Sequence, residues 1–198
     1  MRTTSDIIRL WTFQHYSVVE MLHRNGDYVP IWETTPTDYR PAYRWMAARL
    51  HEVIGLASDT PPVWCWHSCE QLLAPPTVGT AAALLSEYEI EQGMVTFELD
   101  VPADMALLSS YHEWNNFLDA CLERNAVPVE TDKWRNMFHV PPLLHEADDI
   151  QAVLPRIDSK WLNAVWPLRI EGRDWAEPVT AQRYIPHLPD KSLNRCSS

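Results

Sequence analysis

Met94-Val-Thr-Phe-Glu-Leu-Asp-Val101 alternates without a break: Val95, Phe97, Leu99 and Val101 fall on one side, Met94, Thr96, Glu98 and Asp100 on the other. A period of two with one apolar face predicts a half-buried strand, and Pro102 helps end it by removing a backbone donor. Ser110-x-x-Glu113 then has the spacing of a capping box. Trp114, Phe117, Leu118 and Cys121 follow at helical period, so this strand feeds a helix. Upstream, Ile7 to Gln14 is rich in β-branched and aromatic residues and predicts the first strand. Ser17 with Glu20 predicts a capped short helix that Gly26 stops, and Tyr28 to Thr37 is a connector. Thr37-Asp-Tyr-Arg-Pro41 opens a longer helix whose stripe is Tyr43, Met46, Ala47, Leu50, Val53 and Ile54, closed by Gly55.

After the Pro61-Pro62 break, Val63-Trp-Cys-Trp-His67 predicts a short strand. Glu70 to Ser86 shows no reliable period and is expected to be a loop holding at most a helical turn. Thr131 to Phe138 predicts another short helix, and Ile150 to Leu154 a strand. Asp158-Ser159 is expected to begin a turn or short helix leading to Trp166. The fold class is α+β: one domain over residues 1–168, with a mixed or antiparallel sheet and flanking helices. Residues 169–198, with Pro178, Pro186 and Pro189 among scattered charges, are expected to form an irregular tail.

Composition narrows the function classes. Ten Trp supply aromatic surface for a core and for the wall of a flat ligand, whereas only 5 Gly in 198 residues leave no phosphate-cradling motif. A formal charge of -11 opposes non-specific contact with nucleic acid or an anionic membrane. Four Cys without a secretory leader, and no apolar run of spanning length, lead to the expectation of a cytoplasmic protein with free thiols.

Leu10-Trp-Thr-Phe-Gln14, the helix ending in Gly26, Ala42-Tyr-Arg-Trp-Met46, Ile54-Gly55 and Val63-Trp-Cys-Trp66 resemble, in this order, a bacterial family known as domain of unknown function 3841. The likeness continues in Phe97-Glu-Leu-Asp-Val-Pro102, Leu107-Leu-Ser109, Trp114, Trp134-Arg-x-x-Phe138 and Ile150-Gln-Ala152. After Trp66 the chain departs from the family, carrying Ser-Cys-Glu-Gln-Leu-Leu and a Pro/Ala insert where members carry a short basic segment. The first strand, its helix, the Phe97-to-Pro102 strand and the late Gln151-Ala-Val-Leu-Pro155 strand also resemble ADP-ribosyltransferase-like domains. That second resemblance implies NAD as cofactor, held by the first strand at Thr12 or Gln14. It also implies an acidic residue on the late strand, where this chain has Gln151. A neutral Gln cannot stabilise a developing cation as a carboxylate does. The domain is then expected to bind a nucleotide without splitting it, or to use another carboxylate such as Glu98, Asp148 or Asp149.

These readings give a candidate site of Glu98 and Gln151 as catalytic groups, with Trp11, Thr12, Gln14, Tyr43, Trp64 and Trp66 as ligand-binding residues. It requires the first and late strands to lie side by side and to floor one cavity. Gln14 and Gln151 carry amides that read base edges bidentately or, in the plainer case, satisfy strand-edge backbone. Trp64 and Trp66 share a strand face, and with Trp11 form either a stacking wall or core filling. Cys65, His67 and Cys69 fall on the other face but lack the second pair that structural zinc uses, so no metal is expected. Glu98 and Asp100 are either paired acid/base groups or a solvated strand face. The alternative function is a non-enzymatic acidic protein that binds a basic protein partner.

Overall fold

The structure, a computed structural model, describes residues 6–56, 59–69, 76–129, 131–140, 149–168 and 179–180. In chain order the elements are β1 (Ile7–His15), α1 (Ser17–Asn25), β2 (Asp27–Tyr28), α2 (Arg40–Ile54), β3 (Val63–Ser68), α3 (Val78–Leu84) and α4 (Glu87–Glu91). They continue with β4 (Met94–Pro102), β5 (Leu107–Ser110), α5 (Tyr111–Arg124), α6 (Asp132–Arg135), β6 (Ile150–Leu154), β7 (Ile157–Asp158), β8 (Leu162–Pro167) and β9 (Val179–Thr180). The main sheet has the order β5-β6-β3-β1-β4-β8-β9, and each of its pairings is antiparallel. The architecture is α+β, because the helices pack on a sheet whose strands are antiparallel rather than on a parallel one.

The central ladder joins β1 to β4 over nine residues, from Ile7↔Pro102 to His15↔Met94. Antiparallel partners point to the same side, so Leu10 and Thr12 share a face with Leu99 and Phe97. On that face Leu10, Phe97, Leu99, Val101 and Val165 pack with Val18, Val19 and Leu22 of α1 and with Ile157 and Trp161. Across the sheet, Ala42, Met46 and Leu50 of α2 and Trp114, Phe117 and Cys121 of α5 pack over Leu107 and Val153. Both faces of the central strands are covered. Thr96 and Glu98, on the polar side of β4, are therefore buried at 0% and 8% exposure, where alternation alone predicts a half-open strand.

Several local details depart from expectation. Ser17 does not cap α1; Tyr16 occupies that position, and the Ser17 hydroxyl instead bonds His15 Nδ1 at 2.8 Å. Gly26 and Gly55 do end their helices in left-handed geometry (φ 86° and 67°). Ser110 accepts from the Glu113 amide, which makes half of the expected box. The stretch expected to be loop contains α3 and begins α4, each with a complete capping box, Thr77/Thr80 and Ser86/Glu89. An Ala-rich helix has little apolar period to read, but its cap does the signalling. Beyond Asp158 the expected turn forms over residues 159–161, and the stretch leading to Trp166 is the strand β8, which pairs with the edge of β4. Of the expected tail only Val179–Thr180 is described, and it pairs with β8; the rest lies outside the described residues, as does Asp148. No helix among the described residues is long and apolar enough to cross a membrane.

Phe97 lies at the middle of this core with no exposed surface. Phe97→Ala should cost about 3–5 kcal/mol of unfolding free energy, measured by urea denaturation. A loss below 1 kcal/mol would show that the central ladder is not the core.

Candidate functional site

The sheet order separates the two strands on which the sequence reading depends. β3 lies between β1 and β6, because it pairs with both, so the first and late strands do not form a common floor. The predicted residues consequently fall into two groups.

The first group is a row running across one face of the sheet. Ser109 faces Gln151, Gln151 faces Trp66, Trp66 faces Trp11, Trp11 faces Glu98, and Glu98 faces Ala164. Trp11 and Trp66 pack with Cys69, and Tyr111 lies 4.7 Å from Trp66 between ring centroids. They are core filling rather than a ligand wall. Gln151, 4% exposed, donates from Nε2 to Ser109 Oγ at 3.1 Å. Glu98 accepts from Asn163 Nδ2 at 2.6 Å and lies 3.2 Å from Arg9 Nη1. Arg9 also clamps Asp100 through two nitrogens, and this hydrogen bond leads in raising the guanidinium pKa. Arg9 and Asn163 were missed as partners of Glu98. Arg9 is legible in the alternation of β1, whereas Asn163 lies at a register break between β4 and β8 that no spacing announces. Both proposed catalytic side chains are thus held in packed polar contacts.

A second register break, between Trp66 and Ser68, explains the fate of the sulfur and imidazole candidates. The extra residue turns Cys69 onto the Trp11 face, so Cys65, His67 and Cys69 do not share a side. Burial lowers the His67 pKa and raises that of the Cys65 thiol. Among the described residues no group of three potential ligands could hold a metal ion.

The second group converges on a pocket of about 200 Å³ where β1 ends and β3 begins. Phe13, Gln14, Tyr28, Tyr43, Val63 and Trp64 line it, with Pro30, Thr34, Thr35, Pro61 and Pro62 at its margin. Pro61 and Pro62 have no N–H to extend the β3 ladder, so the chain leaves the sheet there and opens the space. Pairing of β2 with β7 carries Tyr28 to the site. The margin is tied down: Arg40 Nε donates to the Thr35 carbonyl, and Trp32 Nε1 to the Asp59 carbonyl at 3.0 Å. Arg44 covers the Trp32 ring at 4.3 Å and pairs with Asp59 at 3.1 Å. Tyr28, Thr34, Thr35 and the three Pro residues were absent from the sequence candidates, since a Pro- and Thr-bearing connector reads as linker.

Three predicted ligand residues, Gln14, Tyr43 and Trp64, do meet here. Tyr43 stands 5.1 Å from Trp64, which in turn stands 4.5 Å from Trp114. The Trp64 indole nitrogen is buried without a partner. Thr12 lies beneath: its hydroxyl donates to the Trp64 carbonyl at 2.6 Å and meets Gln14 Nε2 at 2.8 Å. Every residue lining the pocket is neutral at pH 7, and burial keeps the two phenols neutral well above it, pushing Tyr43 up from 10.0 to about 12 and raising Tyr28 as well. The arrangement suits an uncharged planar group and offers no carboxylate to a reaction.

The pKa of Tyr43 sets an alkaline limit. Unfolded Tyr ionises near pH 10 while the partly buried Tyr43 remains neutral, so stability present below that pH is lost as pH rises towards 12. The shift corresponds to about 2–3 kcal/mol. Tyr43→Phe should flatten the fall of urea-unfolding free energy between about pH 10 and 12; an unaltered slope would place the phenol in water.

No curated protein and no solved structure matches this chain. A family model described as domain of unknown function 3841 matches residues 9–124. The match runs from β1 to the end of α5 and includes every residue lining the pocket. Gln151, Asn163 and the Trp134-to-Phe138 and Ile150-to-Ala152 blocks fall beyond it. The chain belongs to the domain of unknown function 3841 family.

Proposed function

We propose that the domain binds a nucleotide-type ligand, with the base in the pocket of Gln14, Tyr43 and Trp64 and the phosphates outside it. The observation that carries this reading is the meeting of a strand-borne carboxamide with aromatic walls in one recess. Small-molecule sites combine mostly apolar and aromatic lining with a few placed polar groups, and this recess has that character. Its 200 Å³ is below the range of about 300–1,000 Å³ for drug-sized ligands. One base fits that space and an entire dinucleotide does not. An uncharged lining also favours a base over a phosphate, since nothing in it would offset the desolvation of a buried anion.

Binding without transfer of ADP-ribose is the version favoured. Cleavage of NAD would require a carboxylate near the departing ring. No acidic residue is among those lining the pocket, and Glu98 is engaged by Arg9 and Asn163 in the row across the sheet.

Titration calorimetry with AMP and NAD should show saturable binding of both without release of nicotinamide. Gln14→Ala, a change at a half-buried side chain, should weaken either ligand at least tenfold, about 1.4 kcal/mol. Failure of both nucleotides to bind or to raise the melting temperature at millimolar concentration would refute the proposal.

A further inference from the structure

The threonine below the pocket fixes which end of the Gln14 amide a ligand meets. The Trp64 carbonyl can only accept, and Thr12 Oγ1 lies 2.6 Å from it. The single hydroxyl proton of Thr12 is thereby committed to that carbonyl. Thr12 must then accept from Gln14, which requires the amide nitrogen at that 2.8 Å contact. The network thus decides which way the Gln14 amide is turned. Gln14 Oε1 has no hydrogen-bond partner among the described residues, and Gln14 is part of the pocket lining. Thr12 is 1% exposed and cannot itself touch a ligand. It is a positioning residue, acting through Gln14.

We infer that the pocket selects a neutral ring bearing an N–H donor, such as the amino group of an aminopurine, which Gln14 Oε1 accepts while Thr12 keeps the amide from turning. This inference rests on the nucleotide-binding reading and adds the chemical class of the base. A ring seated in the pocket covers the half-buried Gln14 Oε1, so an analogue lacking the N–H donor leaves that atom shut from water and without a partner. A free amide would weaken that discrimination, since rotation by half a turn replaces the acceptor with a donor at little cost. Held by Thr12, Gln14 would have to break its own hydrogen bond to do so.

Adenosine and purine riboside provide the test. They share ring system and sugar, and purine riboside lacks the exocyclic amino group. Calorimetric titration of the wild-type chain should give adenosine at least a tenfold advantage. Gln14→Leu, which keeps the reach of the side chain, should bring the ratio close to one. Thr12→Val, which preserves shape under the sheet, should also reduce the ratio to within about threefold by freeing the amide; near-ultraviolet circular dichroism confirms the fold. If Thr12→Val does not fold, the Gln14→Leu ratio alone decides whether Gln14 reads the base. Equal binding of both nucleosides by the wild type overturns the inference and leaves the binding function standing. A preference that survives in either folded variant also overturns it, assigning the discrimination to another group. Absence of binding by both nucleosides while AMP still binds overturns the inference alone, and absence of binding by AMP and NAD as well removes the function it rests on.

Discussion

The ladder between β1 and β4 is the constraint from which the rest follows. Its nine-residue register places Leu10 and Thr12 on the α1 side and Arg9, Trp11 and Phe13 on the other. Side chains alternate along a strand, so a slip of one position would exchange these sets. Arg9 would then leave Glu98 and Asp100, and Thr12 would leave the Trp64 carbonyl. Burial of Leu10, Phe97 and Leu99 at zero exposure strongly favours the observed register. The same burial makes β1 a central strand covered on both faces, and this explains why its polar residues are all paired within the protein or placed at its ends.

Much of the fold was legible because its signals are local. The alternation from Met94 to Val101 marks β4, the stripe from Tyr43 to Ile54 marks α2, and Ile150 to Leu154 coincides with β6. Other features depend on partners distant in sequence. β8 is a strand because β4 has an edge to fill, and the burial of Thr96 and Glu98 depends on what covers the sheet. Register breaks at His67 and Asn163 are likewise invisible to spacing, yet they decide which way Cys69 points and what Glu98 meets.

The site follows the same division. Residue type identified Gln14, Tyr43 and Trp64 as suited to a planar ligand, and chain folding does bring them together. Type also singled out Trp11, Trp66, Glu98 and Gln151, which share a row but serve the interior. What separates the two sets is the position of β3 between β1 and β6. Strand order depends on long-range pairing, and a family likeness reporting on segments in succession carries no such information.

The middle position of β1 has a consequence for how the molecule is made. Its hydrogen bond from Thr12 to Trp64 spans 52 residues, and its ion pair from Arg9 to Asp100 spans 91. A ribosome delivers the first strand well before either neighbour exists, and closing such wide loops is slow. Until then the Leu10–Trp11 segment has no partner strand to cover its apolar side chains, the kind of surface on which folding chains aggregate. The innermost strand of the finished sheet is also the one that waits longest for company.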